Sequence, residues 1–294
     1  MNVMKKVLLS MSAVAAMIAM TTTFSACSSD DEQQPSASMA LNAVKGDYAS
    51  LFTRAISLDN DGKLKTYWKT TDKVAVYKEG WTAKIGDLAP MADSEDNKTK
   101  LDGNVSSAGM SVGDKMELIM PRITWDYTGQ DGTLETISST YDYAIANAQI
   151  NFFDQSNKIY ASDAIFKTQQ AIIKYTLVDS NGEPLNVTSL AIVSDGGKLL
   201  QSRNLDGSNA KYGGIEINVN TAKNVFYVAI RNEQEEADYY TLTVKSNGAI
   251  YSSKSPHAQT YSYGSYITHT VMLTAVDNTH TERDAYQSQL DVVW

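Results

Sequence analysis

Apolar and polar residues alternate along most of this chain, whereas long stretches with the spacing of a helix are nearly absent. Segments 72–79, 115–121 and 172–178 each place apolar side chains at alternate positions, which puts those side chains on one face of a strand. Asn-Gly and Asp-Gly pairs separate many of these segments, and both pairs accept the positive φ of tight hairpin turns. Many short strands joined by such turns predict an all-β protein built from β-sandwiches.

The length divides this β pattern into two parts. A chain of 294 residues suits two domains at roughly 100–200 residues each. Segment 141–153 is richer in alanine and predicts a short helix or a crossover, and a new series of strand patterns opens at Gln169. We therefore predict one β-sandwich over residues 47–166 and a second over residues 167–278, followed by a C-terminal tail over residues 279–294.

The start of the chain predicts an export leader over residues 1–26. Two lysines precede an apolar run over residues 7–20, which is shorter than the ~20 residues of a membrane span and typical of a signal peptide. Small residues stand directly before Cys27, the only cysteine, as in the lipobox of bacterial lipoproteins, although Phe24 replaces the usual leucine. We expect acyl chains, including palmitate, on Cys27. The alternative is ordinary secretory cleavage that leaves a free thiol.

Lipid on Cys27 would anchor the protein to the outer membrane, since each buried CH2 contributes about 0.8 kcal/mol. An acidic run over residues 30–32 follows, and it resembles the surface-export signal of lipoproteins in some Gram-negative anaerobes. The next residues are polar and of low complexity. We therefore predict a flexible lipidated tether over residues 27–46 and a location at the cell surface.

Composition excludes several function classes. The net charge of −9 disfavours nucleic acid as a partner, because phosphate contacts need a basic face. A single cysteine rules out a disulfide framework and cysteine-based zinc sites. The histidines His257, His269 and His280 lack metal-ligand spacing, and recognisable catalytic or nucleotide motifs are absent. We expect no enzymatic activity, no cofactor and no metal.

Several motifs, taken in chain order, resemble the fimbrillin family, the lipoprotein pilins of anaerobic Gram-negative bacteria. They are the segments 68–78, 226–231 and 261–274, and the run Tyr127-Thr-Gly-Gln-Asp-Gly-Thr-Leu-Glu135, which is the most specific of them. The resemblance covers roughly residues 50–275. It implies two tandem transthyretin-like β-sandwich domains and a structural or adhesive role in a type V pilus, or fimbrium.

The resemblance also implies assembly by strand exchange. In that family an Arg-specific protease removes an N-terminal strand, and the groove left behind accepts a strand from the next subunit. Arg54 is the first arginine of this chain and is followed by Ala55, so this bond is the candidate processing site. The alternative is a surface arginine on a strand that stays in place, as in an anchor or tip subunit that is not processed.

The C-terminal tail is a candidate donor strand. Its last nine residues place Tyr286, Ser288, Leu290, Val292 and Trp294 on one face of an extended chain. The alternative is that the tail folds back onto its own second domain. The implied partners are other pilin subunits in a homo- or hetero-polymer, outer-membrane lipid through Cys27, and a ligand on a host or bacterial surface.

A second function would use the same architecture to bind glycans at the cell surface. The aromatic residues of the first half would then form a stacking surface for sugar rings, although core pairing is the commoner fate of such residues. The candidates for this surface are Trp81, Trp125, Tyr127, Tyr141 and Tyr143.

Overall fold

The computed structural model describes residues 35–45, 57–58, 64–65, 67–121, 124–233 and 235–276. Within those residues the chain is mostly β-strand, with one short α-helix, α1 (Leu134–Thr136), which continues into a π-helical turn (Ile137–Tyr141). The predicted all-β class is confirmed. The predicted leader over residues 1–26 and the whole predicted tail over residues 279–294 lie outside the described residues, as do the following candidate site residues: Cys27, Arg54, Ala55, Tyr286, Ser288, Leu290, Val292 and Trp294.

The strands of the first half form one large sheet and two small pairings. In chain order they are β1 (Ser36–Lys45), β2 (Ser57–Leu58), β3 (Leu64–Lys65), β4 (Val74–Lys78), β5 (Lys84–Pro90), β6 (Lys98–Ser106), β7 (Lys115–Met120), β8 (Thr124–Asp126), β9 (Ala144–Phe153), β10 (Ile159–Ala161) and β11 (Ala164–Thr168).

Seven strands of the first half close into a barrel-like sheet. Around the ring the order is β1, β11, β9, β7, β4, β5 and β6, and β6 pairs again with β1, while β10 lies beside both β1 and β9. Neighbouring strands are antiparallel, except that β1 is parallel to β10 and β11. The transthyretin-like sandwich expected here is not confirmed, because β1 joins two edges that an open sandwich would leave apart.

The barrel interior is filled by apolar side chains from every strand of the ring. Alternate residues of β9 contribute Ala144, Ala146, Ala148 and Ile150, each at most 5% exposed. The short helix or crossover predicted over 141–153 is therefore wrong for most of that segment. Alanine favours helices by intrinsic propensity, but here small side chains facing the interior override it.

The flexible tether predicted over 27–46 is also wrong for its second half, because residues 36–45 form β1. The inward residues Ala37, Met39, Leu41 and Ala43 are buried to 4% exposure or less. Their spacing of two residues is a strand pattern. The many small and polar residues of this segment hide that pattern, because they also suit a linker.

The second half is a β-sandwich. Its strands are β12 (Ala171–Val178), β13 (Val187–Ser194), β14 (Leu200–Asn204), β15 (Lys211–Tyr212), β16 (Ile215–Lys223), β17 (Val225–Ile230), β18 (Tyr240–Ser246), β19 (Ala249–Lys254), β20 (Tyr266–Met272) and β21 (Thr274–Ala275). One sheet has the order β17-β12-β20, and the other has the order β16-β13-β18-β19-β21. Buried residues of both sheets share one hydrophobic core.

The two halves are joined by packing as well as by the chain. Sheet membership changes between β11 and β12, but β8 of the first half pairs with β14 of the second. The side chains of Ala75, Tyr77 and Ile119 point away from the barrel interior and belong to the core of the second half. Strands β4 and β7 therefore contribute to two cores, one on each face.

Removing a large inward side chain from β1 should destabilise the barrel. For Met39→Ala we expect a loss of about 2–4 kcal/mol in the free energy of unfolding, because the side chain is fully buried and its removal leaves a cavity. Urea denaturation of the chain without its leader measures this loss. Ser38→Ala on the exposed face of the same strand is the control, with an expected change below about 0.5 kcal/mol. Equal midpoints for the two variants would show that β1 does not pack as described.

Candidate functional site: the first strand and its groove

Strand β1 lies between two strand edges that have no other partner on that side. It pairs with β6 over nine residues, from Ser36 opposite Ser106 to Val44 opposite Lys98. Its other edge pairs with β10 at Met39 and with β11 at Ala43. Without β1, both edges would expose unpaired backbone N–H and C=O groups, which readily pair with another strand.

The side chains of β1 that face the barrel interior differ in size in a defined order along the strand. Ala37, Met39, Leu41 and Ala43 occupy alternate positions, so the groove accepts a small, two large and another small residue. Full burial of a Met or Leu side chain contributes about 1.5–3 kcal/mol. An empty groove would therefore expose apolar surface as well as unpaired backbone.

The next inward position of β1 carries a buried cation. The side chain of Lys45 is 1% exposed, and its Nζ donates a hydrogen bond of 2.7 Å to the carbonyl oxygen of Tyr67. The same Nζ lies 3.7 Å from Oδ2 of Asp72 and 3.9 Å from the ring centroid of Trp68. An ion pair, a carbonyl acceptor and an aromatic face together offset the cost of burying this charge.

Asn97 fixes the backbone at this end of β1. Its side-chain amide donates to the backbone carbonyl oxygen of Lys45 at 2.7 Å. The backbone carbonyl oxygen of Asn97 accepts from the Lys45 N–H at 2.9 Å. The same carbonyl oxygen accepts from Nε1 of Trp68 at 3.0 Å. Asn97 thus ties the end of β1 to the wall that surrounds the lysine.

The position of β1 in the ring separates it from the junction between the halves. Strands β7 and β4, which pack against the second half, stand third in order from β1 in the two directions around the barrel. They therefore lie on the opposite side of the barrel. The inward apolar residues of β1 belong to the barrel core and not to the core of the second half.

The most specific sequence motif, residues 127–135, forms a clamp at that junction. The Gln130 amide is buried, and its Nε2 donates to the carbonyl oxygens of Tyr127 and Ala229 at 2.9 and 2.8 Å. Its Oε1 accepts from the Ala229 N–H at 2.8 Å. The side chain thus satisfies the backbone of β17 as a neighbouring strand would.

Asp131 organises the turn into α1. Its Oδ1 accepts from the N–H and the hydroxyl of Thr133, and its Oδ2 accepts from the hydroxyl of Thr136. Burial would raise the pKa of Asp131, but the hydrogen bonds from Thr136 and Thr133 hold that pKa below its usual range. The carboxylate therefore orients Thr133, which is the N-cap of α1, and the hydroxyl of Thr136.

Gly132 allows the clamp to contact β17 closely. Its φ is +71°, and a Cβ at this position would lie 2.6 Å from Cδ1 of Phe226. Nζ of Lys223 donates to the carbonyl oxygens of Asp131 and Gly132. Both the backbone conformation and the available space require glycine here.

The predicted sugar-stacking surface is wrong. Four of its five aromatic residues are at most 5% exposed and belong to the core of the second half: Trp125, Tyr127, Tyr141 and Tyr143. Trp81 is half-buried with its ring edge-on to Tyr77. Core pairing, the alternative for these residues, is what the structure shows.

Trp125 instead binds two arginines of the second half. The guanidinium groups of Arg203 and Arg231 lie 4.2 and 4.1 Å from the centroid of its ring. Arg231 also lies 4.2 Å from the Tyr263 ring and donates to the carbonyl oxygen of Gln169 at 2.6 Å. This cluster adds a second fastening between the halves.

A cavity of about 340 Å³ lies between the two sheets of the second half. Its lining includes Tyr175 of β12, Tyr240 of β18 and His269 of β20, together with Tyr261. The Tyr175 hydroxyl is buried, and the side chain of Tyr261 interacts with it. Burial lowers the pKa of His269 and raises the pKa of Tyr261 to about 12, so both side chains are neutral near pH 7.

Sequence reasoning missed both the Lys45 site and this cavity. Lys45 was assigned to the tether, although it follows the inward residues of β1 at the same spacing of two. His269 is half-buried, and its ring stacks beside that of Tyr175. The other walls of the cavity come from strands distant in sequence, so no local pattern identifies it.

The described residues contain no cluster of three or more His, Cys, Asp or Glu side chains that could hold a metal ion. Among the same residues, no helix has the length and apolar character needed to cross a membrane.

No protein-family model matches the chain, and no curated protein matches it. Solved structures similar to it include a candidate cell adhesion protein from Bacteroides ovatus ATCC 8483, with 15% identity and a TM-score of 0.45 over 83% of this chain and 96% of that one. Another candidate cell adhesion protein, from Bacteroides uniformis ATCC 8492, has 13% identity and a TM-score of 0.43 over 81% and 96%. The shaft pilin spaA from Lactobacillus rhamnosus GG has 11% identity and a TM-score of 0.33 over 84% and 100%. At these TM-scores the likeness assigns neither a family nor a function to this chain.

The clamp should tolerate no side chain at Gly132. For Gly132→Ala we expect a loss of about 2–4 kcal/mol in the free energy of unfolding, because the methyl group would clash with Phe226 and strain the backbone. Gly182→Ala is the matched control, since its φ is +83° and nothing lies within 4 Å of the added Cβ. Strain alone should then cost about 1–2 kcal/mol. Thermal unfolding of the two variants measures the difference, and equal losses would contradict the clamp.

Proposed function

We propose that this chain is a non-enzymatic, surface-exported lipoprotein subunit of a pilus, assembled by strand exchange, and that β1 is the strand that is exchanged. The supporting observation is that β1 alone closes the barrel, between β6 on one side and β10 and β11 on the other. An added strand at that place satisfies backbone groups and fills apolar pockets.

The candidate processing site would make β1 separable from the rest of the chain. Arg54 follows the last residue of β1 by nine positions, and it precedes all strands of the ring other than β1. Cleavage after Arg54 would leave β1 bound only by non-covalent contacts. Another strand could then compete for the groove.

The candidate lipid site would stay with the piece that leaves. Cys27 precedes the first residue of β1 by nine positions, so lipid, β1 and Arg54 lie on one N-terminal segment. A subunit that is cut but still holds β1 would remain on the membrane. Exchange of β1 would release the subunit from its anchor and join it to a neighbour in the same step. The striped tail Tyr286–Trp294 is the candidate strand that this chain donates in turn.

Treatment of the chain with an Arg-specific protease tests this proposal. We expect cleavage between Arg54 and Ala55, retention of the N-terminal piece until mild denaturation, and oligomers once that piece is removed. Mass spectrometry and size-exclusion chromatography give the cleavage site and the oligomeric state.

Two matched variants accompany this test. Arg54→Lys keeps the charge but should block cleavage and oligomer formation, whereas deletion of residues 286–294 should allow cleavage and abolish oligomers if the tail is the donor. A cut chain that loses the N-terminal piece and stays monomeric would argue against a polymerising subunit.

Glycan binding is a second candidate function, favoured by the cavity in the second half. Neutral tyrosine rings beside the hydrogen-bonding side chain of His269 suit a polar ligand with apolar faces, such as a sugar ring. This site differs from the aromatic surface expected from the sequence, which is buried.

Affinity electrophoresis in gels that contain soluble polysaccharides tests glycan binding. If the cavity binds sugars, His269→Ala should weaken retardation by about tenfold, because a lining side chain with hydrogen-bonding capacity is lost. His257→Ala is the control, since His257 is exposed and lies outside the cavity lining. Absence of retardation, or equal retardation of both variants, would remove this candidate.

A further inference from the structure

We infer that the groove now filled by β1 selects a strand that carries a basic residue at the position of Lys45. This inference rests on the proposed strand exchange and adds the chemistry of the partner strand. The apolar positions of β1 could be matched by many amphipathic strands. The Lys45 position demands a cation, because a carboxylate, a carbonyl oxygen and an aromatic face converge there.

The walls of the Lys45 site belong to parts of the chain that would stay after β1 leaves. Tyr67, Trp68, Asp72 and Asn97 all follow Arg54 in the sequence. The groove would therefore keep its acidic and aromatic end, and an incoming strand would meet it.

These walls are held in place by contacts that do not involve β1. The Trp68 N–H donates to Oγ of Ser94 at 2.8 Å, and its ring packs edge-on against Phe166 with centroids 5.4 Å apart. Oδ2 of Asp72 accepts from the Lys69 N–H at 3.1 Å. The site is thus preorganised for a cation, which lowers the cost of binding one.

Asp72 is 2% exposed, so its environment penalises an unmatched charge. A strand with an apolar residue at the position of Lys45 would lack the cation that pairs with Asp72. It would still shield the Asp72 carboxylate from water. A charge-assisted contact of this kind corresponds to about a 10- to 100-fold difference in affinity.

The pattern required of the partner strand reads small, large, large, small, basic at alternate positions, as in Ala37, Met39, Leu41, Ala43 and Lys45. The candidate donor tail of this chain has no basic residue on its apolar face. Arg283, the basic residue nearest to that stripe, is out of phase with it. The strand that fits this groove best therefore comes from a different subunit, and this chain's own tail would bind the same groove more weakly.

Competition among synthetic strands tests this selectivity. A chain with a sequence-specific protease site at residues 50–55 is cut, β1 is removed in mild denaturant, and labelled peptides of residues 35–46 are added during refolding. Fluorescence anisotropy measures binding of the native peptide, of Lys45→Arg, Lys45→Met and Ser38→Ala peptides, and of a peptide of residues 283–294.

We expect the native, Lys45→Arg and Ser38→Ala peptides to bind within about threefold of one another, since arginine keeps the charge and Ser38 is exposed. The Lys45→Met and tail peptides should bind about 10- to 100-fold more weakly. In a cut chain that carries Asp72→Asn, the preference for Lys45 over Met should shrink. Equal binding of the native and Lys45→Met peptides would overturn the selectivity while leaving strand exchange intact. If even the native peptide fails to bind, both the selectivity and strand exchange at this groove are overturned.

The uncut chain supplies a second measurement if the emptied barrel does not refold. Lys45→Arg should keep the urea midpoint near that of the native chain, and Lys45→Met should lower it. A Lys45→Met chain as stable as the native one would overturn the inference, because the site would then not discriminate a cation from an apolar side chain.

Discussion

The barrel of this protein depends on the pairing of its first strand with two edges at once. Without β1, strands β6, β10 and β11 would end an open sheet and expose backbone groups along a curved apolar groove. Backbone pairing and side-chain burial act together here, because the same strand supplies both. The first strand is thus the element on which closure of the barrel rests, and among the described residues it is the last strand before the candidate processing site.

The second half packs against the side of the barrel that lies opposite β1. Strands β4 and β7 lie across the barrel from β1, and their outer faces share a core with the second sandwich. Gln130, Gly132 and the stacking of Trp125 on Arg203 and Arg231 fasten that interface. The structure therefore combines a packed junction on one side of the barrel with the closing strand β1 on the other.

Sequence pattern predicted the all-β class and much of the turn chemistry. The pair Asn247-Gly248 does form a two-residue hairpin turn between β18 and β19, with both φ values positive. The pattern failed where small residues line the barrel. In β9 the alanines suggested a helix, and in β1 the serines and alanines suggested a linker. Both errors have one physical cause. A closed barrel accepts small inward side chains, and such residues add little to the hydrophobic pattern from which a strand is predicted. Only pairing with strands distant in sequence makes them core residues.

Lys45 shows why the candidate site could not be predicted as a whole. A lysine at the end of a polar segment normally indicates solvent exposure, yet here residues from three later segments surround it. Because Lys45 is buried, one end of the groove accommodates a positive charge. The rest of the groove accommodates side chains of defined sizes in a defined order. Recognition of a partner strand would then depend on register, because only one register aligns a basic residue with Asp72 and Trp68 while keeping the apolar residues inside.

The most direct test of the central claim is an exchange experiment followed by native mass spectrometry. A chain cut between β1 and β4 is mixed with an excess of an isotope-labelled peptide of residues 35–46, and the mass of the complex is followed over time. The account predicts that the labelled strand replaces the resident N-terminal piece one for one, while the rest of the chain stays folded. A complex that keeps its original N-terminal piece, or a cut chain that stays folded without any strand in the groove, would contradict it.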